Sequence, residues 1–171
     1  FGDSVHMMRD IVASSIRMYG DDHPRTLKSI DSLAQFLCYS GHLTESLQFH
    51  KKAWEGFRGL ESHGPNHKDT LLALRHLGAV QWRFFRFDES ALLCDQALEG
   101  LSHCNDVEDE ILFTKEDIAL ALAGSKNNPK RARALMVEVL ERRKVIWGDE
   151  HPYTLFAELN FGRVEHGIGE Y

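Results

Sequence analysis

An eight-residue phrase occurs three times in the chain: Gly20-Asp-Asp-His23-Pro24-Arg-Thr26-Leu27, Gly64-Pro-Asn-His67-Lys-Asp-Thr70-Leu71 and Gly148-Asp-Glu-His151-Pro152-Tyr-Thr154-Leu155. From His23 to His67 is 44 positions, and the same offset carries Leu33 to Leu77, Ala34 to Gly78, Glu45 to Glu89, Ser46 to Ser90, Ala53 to Ala97 and Gly56 to Gly100. From His67 to His151 is 84 positions, close to two periods, which implies one degenerate repeat between them. Its members are Ile111-Leu112, Ile118-Ala119, Ala132 and Val139, with the loop phrase lost to Asn105-Asp-Val-Glu-Asp-Glu110. A period of this length restricts the chain to folds in which one supersecondary unit buries its apolar side against the next.

Each unit reads as two helices. After the phrase, Leu27, Ile30, Leu33, Ala34 and Leu37 fall at helical spacing, and after the break at Ser40-Gly41 so do Leu47, Trp54 and Phe57. The first helix of a unit is designated helix A and the second helix B. In order, the helices are expected over Asp3 to Tyr19 (B), Pro24 to Tyr39 (A), Leu43 to Leu60 (B), Lys68 to Phe84 (A), a further B, Glu110 to Ala123 (A), Pro129 to Trp147 (B) and Pro152 to about Gly167 (A). The phrase between them is a stop followed by a start: Gly accepts the left-handed turn that ends helix B, Asp or His caps the next helix, and Pro at its first position needs no amide donor. Ala34, Gly78, Ala119 and Gly162 on helix A, and Ala53 and Ala97 on helix B, are small where paired helices must approach closely. Alternating polar and apolar runs with hairpin turn pairs are missing, so the fold is expected to be all-α.

The units divide the chain at 1–19 (helix B of a preceding repeat), 20–63, 64–107, 108–147 (the degenerate repeat) and 148–171 (the first helix of another). No linker rich in Pro, Gly or Ser interrupts them, so a single array is expected. Ser4 and Ile11 are expected to occupy the positions of Ser46 and Ala53, which opens the chain inside a repeat, and Gly167 to Tyr171 should begin another helix B. A fragment of a longer solenoid is the expectation, since neither end supplies a polar cap.

Charge and composition narrow the partners. Net charge is −6, with 27% charged and 43% hydrophobic residues, so broad attraction to phosphate backbones or anionic lipid is not expected. No run approaches the roughly 18 apolar residues of a membrane span. Cys38, Cys94 and Cys104 form no CxxC pair and sit singly in apolar stretches, as thiols do in a reducing compartment such as the cytoplasm.

The phrase G-x-x-H-P-x-T-L, the small residue after Leu33, the G-x-x-x-E-[SA] start of helix B and the period above forty resemble the kinesin light chain type of tetratricopeptide repeat. Similar arrays occur as sensor regions of fungal and bacterial nucleotide-binding immune-type proteins. The resemblance implies a right-handed α-α superhelix of about eight antiparallel-paired helices, and a non-enzymatic module that binds a protein or peptide on its concave helix-A face. Self-association through exposed repeat ends, giving a scaffold or homo-oligomer, and a regulatory sensor region of a larger NTPase are the alternatives. The family's Asn pair in T-L-x-x-L-N-N-L-A is replaced by Asp31-Ser32, Arg75-His76 and Glu116-Asp117, with Asn160 remaining in a shifted context, which argues against the same cargo. Counting along helix A as the resemblance directs nominates Lys28, Asp31, Gln35 and Tyr39, then Leu72, Arg75, Trp82 and Arg83, then Phe113 and Glu116, and last Phe156 and Arg163. Rings beside guanidinium groups anchor partners well, which centres the expected groove on Arg75, Trp82 and Arg83.

Chemistry of other kinds has no foothold in the sequence. His23, His67 and His151 belong to the repeated phrase, and His63 and His67 straddle Gly64-Pro65, which breaks the helix that would align them. No residues at metal spacing, no cofactor motif, no nucleophile elbow and no phosphate loop are recognised. The basic residues Lys130, Arg131, Arg133 and Arg142-Arg143-Lys144 read as a solvated outer face of helix B.

Overall fold

The loop phrase explains where the helices begin. In all three copies the His is the N-cap, its Nδ1 accepting from the backbone N–H two residues on: His23 from Arg25 at 3.1 Å, His67 from Asp69 at 3.1 Å and His151 from Tyr153 at 3.2 Å. The Thr hydroxyl then donates back to the Gly carbonyl that opened the phrase, at 2.7 Å for Thr26 to Gly20, 2.7 Å for Thr70 to Gly64 and 2.8 Å for Thr154 to Gly148. Gly20 and Gly148 hold φ of +89° and +85°, which a side chain would strain. Loop and helix are thus closed into one rigid corner.

A computed structural model describes residues 2–169, with side chains from Ser4 onward. Among them are eight helices and no strand: α1 (Gly2–Tyr19), α2 (Pro24–Tyr39), α3 (Leu43–Gly59), α4 (Lys68–Arg83), α5 (Phe87–Leu101), α6 (Glu108–Ser125), α7 (Pro129–Trp147) and α8 (Pro152–Ile168). Helices A are therefore α2, α4, α6 and α8. The expected ends agree within two residues. A further helix B is expected to begin at Gly167 to Tyr171; instead α8 continues to Ile168 and closes on Gly169 at φ +69°, and residues 170 and 171 lie outside the described residues.

The chain divides into two compact units, residues 1–84 and 85–171. In the first, each of α1 to α4 packs on the next, and α2 also touches α4. Its core joins Leu27, Ile30, Leu33 and Leu37 of α2 to Val5 and Val12 of α1, Ala53 and Phe57 of α3 and Ala73 of α4, each large side chain contributing about 1.5–3 kcal/mol by leaving water. In the second unit α5 to α8 pack in sequence and α6 also touches α8. Helices α3, α5 and α7 each bury one stripe with steps of four, three and four: Ser46, His50, Ala53, Phe57; Ser90, Cys94, Ala97, Leu101; Ala132, Met136, Val139, Arg143.

One expectation about packing is corrected. The buried apolar positions of α1 are Val5 and Val12, whereas Ile11 is 46% exposed. The register of α1 thus lies one residue beyond the Ser4 and Ile11 alignment, because the segment joining α1 to α2 is shorter than that joining α3 to α4. Of the small helix-A residues, Ala34 and Ala119 are fully buried, and Ser46 Oγ reaches the Ala34 carbonyl at 2.7 Å. Gly162 has open space beside it, and the helix B expected to approach it is not among the described residues.

Candidate functional site

The fifth residue after the Thr of the repeat phrase is acidic in α2, as is its counterpart in α6, and both acids turn inward. Asp31 lies 2.8 Å from His50 Nδ1 on α3 and 2.7 Å from His76 Nδ1 on α4. A carboxylate can only accept, so both imidazoles donate through Nδ1. Gln35 places its amide nitrogen 3.4 Å from each ring nitrogen of His76. Burial works to raise the Asp31 carboxyl, but the charge of His76 and the hydrogen bonds of both imidazoles prevail and hold it well below the usual carboxylate range.

Glu116 is built the same way in the second unit. It accepts from Arg143 Nη2 on α7 at 2.8 Å and from Asn160 Nδ2 on α8 at 2.7 Å. Arg143 also donates to the Tyr153 carbonyl at 3.0 Å and lies 4.6 Å from the centre of the Phe113 ring. Burial pushes the Glu116 carboxyl above its usual range, against the pull of Arg143 and the Asn160 amide. In each unit an acid of helix A thus ties its own helix B to the helix A that follows.

These placements correct the nominated partner face. Asp31 and Glu116 are buried and hydrogen-bonded internally, so neither is presented to a partner. Gln35 is half-buried over His76, and Lys28, though exposed, reaches Asp69 Oδ2 at 2.9 Å. Leu72, Arg75 and Trp82 are half-buried on α4, and Phe113 is half-buried on α6, edge-on to Tyr153 at 5.3 Å. Arg163 is exposed and donates to Asn160 Oδ1 at 3.0 Å, while Phe156 is exposed on α8.

What remains outward at the C-terminal ends of α2 and α4 is Tyr39, 73% exposed, and Arg83, also exposed. Burial raises the thiol of Cys38, next to Tyr39, above its usual range, and the Arg83 charge from α4 opposes the rise. No disulfide joins Cys38, Cys94 or Cys104.

Three further features were not legible in the sequence. His63 and His67 do meet, with ring centres 3.9 Å apart, because the turn at Gly64-Pro65 folds one onto the other instead of separating them. His63 Nε2 lies 3.3 Å from Asp69, and His67 has its basicity lowered by burial first and then by the charges of His63 and Lys28, with Asp69 opposing. The basic residues of α7 are paired rather than merely solvated: Arg131 with Asp95 of α5 at 2.5 Å, Arg142 with Glu108 of α6, Arg133 with Glu165 of α8 at 3.2 Å and Lys144 with Glu158 of α8 at 3.1 Å. Last, among the described residues two groups have ligand atoms close enough to surround one cation, Asp31 with His50 and His76, and His63 with His67 and Asp69.

Paired helices that bury a repeating stripe, joined by repeated capped corners, define a helical repeat protein. The sequence model of the tetratricopeptide repeat matches residues 26–68 and 114–153, so each of these segments carries such a repeat. Solved structures share the fold. A Podosopora anserina protein assigned as a kinesin light chain, with nearly identical TPR-like repeats, matches at TM-score 0.72, and a single-substitution form of it at 0.75, both at 18% identity over 99% of this chain and 79% of the other. BtubC (BKLC) from P. vanneervenii matches at TM-score 0.75 and 18% identity, over 97% of this chain and 66% of the other. No curated protein sequence matches the chain. No helix among the described residues is long and apolar enough to cross a membrane.

Proposed function

We propose that the chain is a non-enzymatic interaction module that holds a peptide on the helix-A face of its first unit, at the C-terminal ends of α2 and α4. The supporting observation is the open pair of Tyr39, 73% exposed, and Arg83. A rigid ring offers contact area at little entropic cost, and a guanidinium fork holds a carboxylate in a fixed geometry. Half-buried Trp82 and Arg75 lie on the same helix as Arg83. With Asp31 internally engaged, the ligand that suits this surface is a segment carrying an acidic residue beside an apolar one. Displayed random peptides selected on the chain should converge on that pattern. Tyr39→Ala or Arg83→Glu should weaken the selected peptides at least tenfold. Failure to enrich, or equal binding by the variants, would overturn the reading.

A second reading, self-association, rests on Leu155. Its counterparts Leu27, Leu71 and Leu112 are buried, whereas Leu155 is 51% exposed with Leu159 and Phe156 beside it. That face of α8 suits another helix, and a second copy of the chain can supply one. Light scattering over a concentration range should show a larger species that Leu155→Lys abolishes; a constant monomer mass would exclude it.

A further inference from the structure

We propose that Asp31, His50 and His76 form a binding site for a borderline divalent transition-metal ion, with Zn2+ the best match. One carboxylate oxygen and one nitrogen from each imidazole lie within 4.8 Å of one another. They come from three helices, α2, α3 and α4, each fixed by the packing of the first unit. Two imidazoles and a carboxylate are a donor set for Zn2+ and its neighbours, whereas Mg2+ and Ca2+ select oxygen ligands. Around a tetrahedral ion with bonds of about 2.0–2.2 Å the ligand atoms stand roughly 3.3–3.5 Å apart. His50 Nδ1 lies 2.8 Å from Asp31 Oδ1 and His76 Nδ1 2.7 Å from Oδ2, so the carboxylate presents one oxygen to each ring, and an ion seated among them needs these separations to open by roughly 0.5–0.8 Å, within reach of side-chain torsions. Coordination through Nδ1 displaces the proton now held between imidazole and carboxylate, which a neutral imidazole then carries on Nε2.

The second unit supplies the contrast. There the equivalent acid, Glu116, faces a guanidinium and an amide nitrogen, neither of which ligates a metal. The hydrogen-bond partners of Asp31 are instead both imidazoles, and one of them, His50, lies on the core stripe of α3, where α5 and α7 carry Cys94 and Met136. The half-buried side of His76, next to Gln35, gives the ion a way in and leaves a position for water or the Gln35 carbonyl. The metal would clip the first helix pair to α4. His63, His67 and Asp69 are a poorer site, because their donor atoms are engaged: Lys28 Nζ sits 2.9 Å from Asp69, His67 Nδ1 caps α4, and His63 Nδ1 lies 2.8 Å from Ser62 Oγ.

The test is calorimetric titration of Zn2+ into the chelator-treated chain, with thermal unfolding measured in parallel. One equivalent should bind and raise the melting temperature. His76→Asn keeps an amide donor for Asp31, as Asn160 does for Glu116, and should weaken Zn2+ at least tenfold; His63→Gln should leave the affinity unchanged. In the unaltered chain, imidazole resonances of His50 and His76 should shift on Zn2+ addition while those of His63 and His67 stay in place, a readout that survives any folding defect of the variant. Absence of stoichiometric binding, equal affinity in His76→Asn, or shifts confined to His63 and His67 would overturn the proposal.

Discussion

Asn160 on α8 donates a 2.7 Å hydrogen bond to Glu116 on α6, and His76 on α4 meets Asp31 on α2 at the same 2.7 Å. The separations along the chain are 44 and 45 residues, one repeat. In both units the acid spans the gap between successive A helices and also takes a partner from the B helix between them. A repeat whose apolar faces alone made contact could slide along its neighbour; a buried carboxylate with two fixed donors selects one register.

Removal of Arg143 exposes what the second unit requires of this arrangement. Arg143 is 1% exposed and Glu116 2%, so Arg143→Met leaves a buried carboxylate without its cation, at a cost of about 3–5 kcal/mol. Glu116→Leu combined with Arg143→Met should recover most of that loss, as apolar replacements of buried pairs do. Acid should narrow the deficit of the single variant. The Glu116 carboxyl already sits above its ordinary value of 4.5, with burial the leading cause, and loss of Arg143 raises it further. A raised folded-state value favours the fold fully below the unfolded value, and the advantage is lost as pH rises through the folded one. Urea unfolding at pH 7 and pH 4.5 measures both effects; a deficit that does not depend on pH would contradict the assignment.

The fold was legible because it is carried by local signals. The Gly-to-Leu phrase marks each corner, and α2 and α7 begin and end where the spacing of apolar residues puts them. Contacts between helices were not legible, since periodicity assigns a residue to a face and not to a neighbour. Asp31 and Glu116 look like surface charges until His50, His76, Arg143 and Asn160 arrive from positions 19 to 45 residues away. The slip in α1 has a related cause: Val5 and Val12 take the core side that the alignment gave to Ser4 and Ile11, and only the length of the connecting segment decides between them. At the α7 surface, a basic run in sequence gives no sign that carboxylates on α5, α6 and α8 wait opposite it.

The His67 cap predicts a specific response to acid. Nδ1 accepts the Asp69 N–H at 3.1 Å only while it is unprotonated. Burial, His63 and Lys28 together lower the His67 value below its ordinary 6.5, with Asp69 opposing. A depressed folded-state value stabilises the fold above the unfolded one, and that contribution disappears as pH falls through the folded value. His67→Asp keeps an acceptor at the cap that stays ionised through this range. Relative to the unaltered chain, the variant should therefore gain stability as pH falls from the ordinary histidine value of 6.5 through the lower folded-state one. Parallel urea midpoints across that interval would show that the cap does not titrate.

The Thr to Gly bond should be felt at every corner that carries it. Thr26, Thr70 and Thr154 are all buried, and each hydroxyl is committed to a carbonyl six residues back. Val fills the same volume without the donor, so Thr70→Val leaves the Gly64 carbonyl short of a partner at a cost of about 1–2 kcal/mol. Thr70→Ser keeps the donor and loses one buried methyl, about 0.8 kcal/mol on the scale of a buried methylene. Thr26→Val should match Thr70→Val, since the two bonds have the same length of 2.7 Å within the same unit. Equilibrium urea unfolding of the three variants decides: if Ser proves as costly as Val, packing and not the hydroxyl holds the corner.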